Sequence, residues 1–127
     1  ERITKERLNI WNNYHSMLLS LEKKGLIKRP KIPSECKHNG HIYFILVEKK
    51  KRDKIIQKLF ENNIQVTSHY EPLHSSKAGI KYCQISGSMH KTNYCASSII
   101  RLPIWIGLTI EKQTYIVDML EKTLNTL

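Results

Sequence analysis

From Ile3 to Leu21 the apolar residues Ile3, Ile10, Trp11, Tyr14, Met17, Leu18 and Leu21 recur at spacings of three, four and seven. That is one stripe along a helix, and Gly25 is well suited to end it. The stretch LIKRPKIPSECKHNG, with Pro30, Pro33, Asn39 and Gly40, is too broken for regular structure and predicts a connecting loop. Ile42 to Val47 form an unbroken apolar, β-branched and aromatic run. Such a run predicts a central strand covered on both faces. In KKRDKIIQKLFENN the residues Ile55, Ile56, Leu59 and Phe60 share one helical face, with Asn62 and Asn63 placed for the last turn. IQVTS alternates strictly and predicts a second strand with Ile64 and Val66 inward. Residues 71–92 are rich in Ser, Gly and Pro, which predicts mostly loop with one helical turn near Ala78–Tyr82; Asn93–Ser98 reads as a short helix. SIIRLPIW predicts a brief strand ended by Pro103, and Thr109 caps a last helix whose stripe is Ile116, Val117, Leu120, Leu124 and Leu127.

This order predicts an α+β fold: a small two-layer sandwich with a short, largely antiparallel sheet and helices on one face. A length of 127 residues suits one domain spanning 1–127 and one core. The chain opens directly on helical pattern without an initiator methionine, so it is expected to be a piece of something longer. Cys36, Cys83 and Cys95 are odd in number and widely spaced, which argues for reduced thiols and a cytoplasmic setting. No apolar run approaches transmembrane length. A net charge of +10 admits an anionic partner, although only Lys49–Arg52 form a basic run, and such runs are most often solvated helix faces.

Several chemistries are excluded or weakened. Cys36, His38 and His41, with His69 and His74, invite a metal, but no paired ligand spacing occurs, so no metal is expected. Cys83 and Cys95 carry no nucleophile signature and read as buried structural cysteines. No glycine-rich phosphate loop is present. Tyr43 and Phe44 sit side by side in an apolar run, unlike the alternating exposed aromatics of a nucleic-acid stacking platform. Self-contained catalysis is therefore not expected. HYEPLH, His69 to His74, differs in kind: it leaves a strand end, and Pro72 stiffens it. Two imidazoles and a phenol there suit the hydroxyls and phosphates of a sugar nucleotide, while a purely structural turn accounts for the composition equally well.

Taken together, SHYEPLHSSKAG, the preceding ECKHNGHIYFI and the following RLPIWIGLT resemble the C-terminal domain of the DegT-type sugar-nucleotide aminotransferases, in particular their dideoxygalactose branch. The resemblance runs through essentially the whole chain in order and implies the small domain of an aspartate-aminotransferase-like enzyme. It implies pyridoxal phosphate as cofactor, bound mainly by a large N-terminal domain that is absent from these 127 residues. It further implies an amino group moved, usually from glutamate, to C4 of a dTDP-linked 4-keto-6-deoxy sugar, within a homodimer, in surface-polysaccharide biosynthesis. By motif match His69, Tyr70 and His74 would line the substrate, approached by Asn39 and His41. Gly40 stands where many members carry an aromatic residue. The rival expectations are a stand-alone ligand-binding or regulatory module descended from that domain, and a basic nucleic-acid-binding domain.

Overall fold

The computed structural model describes residues 1–127. Helix α1 covers Arg2–Met17 and buries Ile10, Trp11 and Tyr14. The expected single helix is interrupted at Leu18, after which α2 covers Leu19–Lys23. Leu18 keeps a right-handed backbone at φ −84°, ψ 0°, and its N–H still bonds Tyr14 O at 3.0 Å, so the stripe continues through buried Leu18 and Leu21. At its start the stripe outruns the core, and Ile3 is exposed.

Two strands form the sheet. β1 (Tyr43–Leu46) and β2 (Ile99–Leu102) pair antiparallel, with Tyr43 opposite Leu102 and Ile45 opposite Ile100. Single bridges widen it on both sides, Lys28 with Leu46 and Thr67 with Arg101. The predicted strand 64–68 is thus reduced to its Thr67 bridge, although its alternation holds: Ile64 and Val66 are buried, Gln65 and Thr67 exposed. The expectation that β1 is covered on both faces is overturned. Tyr43, Ile45 and Val47 face the core, whereas Phe44 and Leu46 point to the opposite face and are only partly covered. An unbroken apolar run conceals this because every residue suits a buried face, and only the pleat assigns alternate residues to alternate sides.

Helices α1, α3 (Lys49–Glu61) and α6 (Ile110–Asn125) pack on the core side. In α3, Ile55 and Leu59 are fully buried and Ile56 packs at the edge, but Phe60, expected on the same face, is 69% exposed. Phe60 lies one 100° step beyond Leu59, which carries it off the packed stripe. Asn63, at φ 59°, ends the helix with a left-handed residue. Thr109 Oγ1 accepts the Lys112 N–H at 3.4 Å to cap α6, whose Ile116, Val117, Leu120 and Leu124 are buried as the pattern predicts. A buried polar contact locks α6 to α1: Gln113 Nε2 donates to Ile10 O at 2.8 Å, and Asn13 donates to Gln113 Oε1 at 3.2 Å. Buried Tyr14 donates to Pro103 O at 3.0 Å, and burial pushes its pKa upward.

The stretch 71–92 holds more order than predicted. A 3₁₀ turn at Leu73–Ser75 leads into α4 (Lys77–Tyr82), and α5 (His90–Ser98) begins three residues before the expected Asn93. All three cysteines are exposed, which corrects the expectation that Cys83 and Cys95 are core residues. No helix is long and apolar enough to cross a membrane.

Candidate functional site

The site is built where the loop before β1 and the segment leaving Thr67 converge beside α1. Gly40 is buried with φ +63°, and a Cβ there would come within 3.0 Å of Arg7 C and Leu8 N on the α1 backbone. Only glycine combines that conformation with that approach. The Asn39–Gly40–His41 turn is therefore pressed onto α1. Asn39 Oδ1 accepts the His41 backbone N–H at 3.2 Å and lies 2.6 Å from His41 Nδ1. In the neutral ring this places the proton on Nδ1 and leaves Nε2 as an outward acceptor.

Across from this turn, Thr67 is clamped to Arg101 by two backbone bonds of 2.7 and 3.3 Å, which aims the following residues off the sheet end. His69 and Tyr70 are exposed, their rings edge to face at 5.3 Å. Two clefts meet at His69 and Ile99. One, about 340 Å³, is lined by Trp11, Asn39, Gly40, His41, Phe44 and His69 among others. The other, about 500 Å³, is lined by His69, Tyr70, Pro72, Leu73, Lys91 and Cys95 among others. Four of the five expected residues thus line connected space. His74 lines neither cleft: its Nε2 lies 2.8 Å from Asn93 Oδ1, tying the 3₁₀ turn to α5.

The turn itself is braced locally. Ser75 and Ser76 N–H groups donate to Pro72 O, Ser76 Oγ donates to Leu73 O at 2.8 Å, and the same oxygen accepts the Gly79 N–H at 2.9 Å to cap α4. Trp11, Lys91, Cys95 and Ile99 belong to the clefts but escaped the sequence reading. Trp11 sits on a core stripe and is 5% exposed, so nothing in the pattern marks it as a cleft wall. Lys91 and Cys95 lie four apart on α5, a spacing that becomes informative only once the helix is known. No three His, Cys, Asp or Glu side chains converge as a metal site. A separate cleft of about 470 Å³, between Asn63–Gln65 and Trp105, Lys112 and Tyr115, brings no acid–base pair together.

A second polar group adjoins the His41 cleft. His15 stacks on Trp11 at 4.7 Å, and Tyr43 Oη lies 3.3 Å from His15 Nδ1. Burial, with Arg29 and His38 nearby, lowers the His15 pKa against a smaller opposing pull from Glu22. The folded protein therefore holds fewer protons than the unfolded chain below the ordinary histidine value. Stability is expected to fall as pH drops below about 6.5. His15→Phe keeps the ring stack and removes the titration. Urea midpoints between about pH 6.5 and 5 should then slope less steeply than in wild type, and equal slopes would refute the assignment.

A sequence profile of the DegT/DnrJ/EryC1/StrS aminotransferase family matches residues 1–121. The chain is 27% identical over 116 residues to 3-oxo-glucose-6-phosphate:glutamate aminotransferase from Bacillus subtilis, covering 89% of this chain and 26% of that protein. Its fold is similar to the aminotransferase TlmJ from Streptoalloteichus hindustanus, with a TM-score of 0.85 and 18% identity over 98% of this chain and 32% of that one. It is also similar to NtdA from Bacillus subtilis, solved with the cofactor PMP, with a TM-score of 0.82 and 22% identity over 97% of this chain and 28% of that one. The chain thus spans between a quarter and a third of the length of these relatives.

Proposed function

The chain belongs to the DegT/DnrJ/EryC1/StrS aminotransferase family, and from that premise we propose that residues 1–127 are the C-terminal small domain of a pyridoxal-phosphate-dependent sugar aminotransferase. In this reading the domain closes one side of an active site whose cofactor is held elsewhere in the protein. The observation that carries it is the position of His69, at the junction of two clefts, facing out beside Tyr70 and sharing one cleft with His41.

The residues of this chain do not fit a cofactor cradle. No lysine is buried, so none sits in the enclosed, desolvated setting that such a cofactor's amine partner needs. Pyridoxal phosphate, when bound, supplies the electron sink for moving an amino group. This chain's share is positioning. His69, Tyr70 and His41 Nε2 offer donors and acceptors to sugar hydroxyls, Asn39 holds the His41 ring, and His74 braces the turn through Asn93. The proposed acceptor is a dTDP-linked 4-keto-6-deoxy sugar aminated at C4, as in dTDP-4-amino-4,6-dideoxygalactose transaminase, with glutamate as donor, in a cytoplasmic homodimer. The name of the Bacillus subtilis relative favours glutamate as donor and a keto sugar as acceptor. The same name favours a second reading, in which the acceptor is a keto-sugar phosphate without a nucleotide.

In the protein that carries this domain together with its cofactor domain, His69→Ala or Tyr70→Ala is expected to raise KM for the sugar or slow turnover. Folding stability should change by less than about 0.5 kcal/mol, because both side chains are exposed. Steady-state kinetics with a dTDP-keto sugar and with a keto-sugar phosphate separate the two acceptors. If either variant unfolds the domain while leaving KM untouched, these rings are structural and the proposed site is wrong.

A further inference from the structure

Beyond Trp11 lies a cleft of about 470 Å³ to which the proposed reaction assigns no role, lined by Trp11, His15, Glu22, Arg29, Lys31 and His38 among others. Its centre is Arg29, whose side chain is only 13% exposed. Glu22 Oε2 accepts from Arg29 Nε at 2.8 Å, Glu22 Oε1 accepts the Arg29 backbone N–H at 2.7 Å, and Arg29 Nη1 donates to His15 O. The guanidinium is thereby fixed in position through Nε and Nη1, which leaves Nη2 for a ligand. Lys31 is exposed and in no ion pair, and His38 packs against Trp11 at 4.6 Å.

We propose that this cleft is a phosphate-binding subsite in which Arg29 Nη2, Lys31 and an N–H of His38 take the oxygens of a phosphate or diphosphate group. Glu22 also lines the cleft, but its charge is matched by Arg29, to which it is bonded twice. Lys31, in no ion pair, is then the uncompensated charge of the cleft. A held guanidinium loses little freedom when an anion arrives, and with Nε and Nη1 engaged its Nη2 is left to donate a charge-assisted hydrogen bond to a phosphate oxygen.

The subsite shares Trp11, Pro30, Ile32 and His38 with the cleft that holds His41 and His69. A ligand whose sugar lies against His69 can therefore extend a phosphate toward Arg29. This extension rests on the function proposed above; the subsite does not. Its two sources are the diphosphate of a sugar nucleotide and the monophosphate of a sugar phosphate.

The test is NMR of the histidine ring resonances of the 127-residue chain during titration with inorganic pyrophosphate at about 0.1 M salt, where long-range charge attraction is screened. His38 and His15 should shift saturably. Lys31→Gln should weaken binding about five-fold, the scale of one exposed charge contact. Lys28→Gln should not, because Lys28 lies at the sheet edge over Tyr94, outside the cleft. Arg29→Lys keeps the charge but removes Nη2 and should weaken binding further; Lys31→Gln decides the matter should that variant fail to fold. Equal shifts of all six histidines, equal weakening by Lys28→Gln, or stronger shifts with glutamate than with pyrophosphate would overturn the subsite. Titration with dTDP and with glucose 6-phosphate then separates the sources, by which one moves His38 and His69 together. Pyrophosphate binding with neither ligand reaching His69 keeps the subsite and counts against the sugar-acceptor reading.

Discussion

Leu120→Ala is expected to cost about 2 to 5 kcal/mol, a large share of the 5 to 15 kcal/mol typical of a domain. Leu120 has no exposed surface and lies on the α6 face that also buries Ile116, Val117 and Leu124. Truncation removes its transfer free energy and leaves a cavity, and α6 cannot close that cavity freely. It is held to α1 through Gln113 and packs on α3 as well. Phe60→Ala is the contrast: it deletes a larger side chain, but one that is 69% exposed, so it should cost less than about 1 kcal/mol. Urea unfolding of both variants checks the pair. A loss below about 1 kcal/mol for Leu120→Ala would mean that α6 is not packed as described.

Gly79→Ala should do its damage at the site rather than in the core. A Cβ on Gly79 would sit 1.7 Å from Leu73 O and 2.8 Å from Leu73 C, and these are backbone atoms that cannot rotate aside. Either α4 unwinds or the Leu73–Ser75 turn moves off it, and both release the segment that carries His69 and Tyr70. Global stability should fall little, because Leu73, Ile80 and Tyr82 are exposed and lie outside the core. The expected signature is lost amide-exchange protection at Ile80 and Cys83, whose N–H groups bond Ser76 O and Gly79 O at 2.9 Å. On the proposed function, displacing the loop by about 1 Å would lower kcat/KM about 100-fold. Unchanged exchange at those two amides would show that the turn and α4 do not touch as described.

The core was largely legible in the chain. Stripes in 1–21, 50–63 and 109–127 named most of the buried helix residues, since a helix that must bury one side imposes its period on the sequence. The errors have local causes. Phe60 belongs to the predicted face through Ile56, four residues before it, but that side is the edge of the packed stripe, where Ile56 is half-buried and Phe60 exposed. Residue type alone favours burial for Cys83 and Cys95, but it says nothing of the solvent side of α5, where Cys95 sits, or of the extended residue after α4, which is Cys83. The strand at 64–68 alternated correctly but meets its neighbour at Thr67 alone, a matter of tertiary register.

The candidate site divides in the same way. HYEPLH and the Asn39–His41 turn stood out as residue types with turn chemistry, and the exposure of His69 and Tyr70 follows from that local character. Asn39, His41 and His69 came together with Trp11, and Tyr70 beside them, because Gly40 lets a loop rest on the α1 backbone and Arg101 clamps Thr67, contacts between segments far apart in sequence. What the sequence settled unaided is the α+β order of elements and the faces its helices bury, because periodicity is a local consequence of burial. The tertiary structure alone decided that His74 braces while His69 faces two clefts, and that Arg29 is held beside Trp11. Those outcomes depend on distances between segments, and no spacing along the chain encodes them.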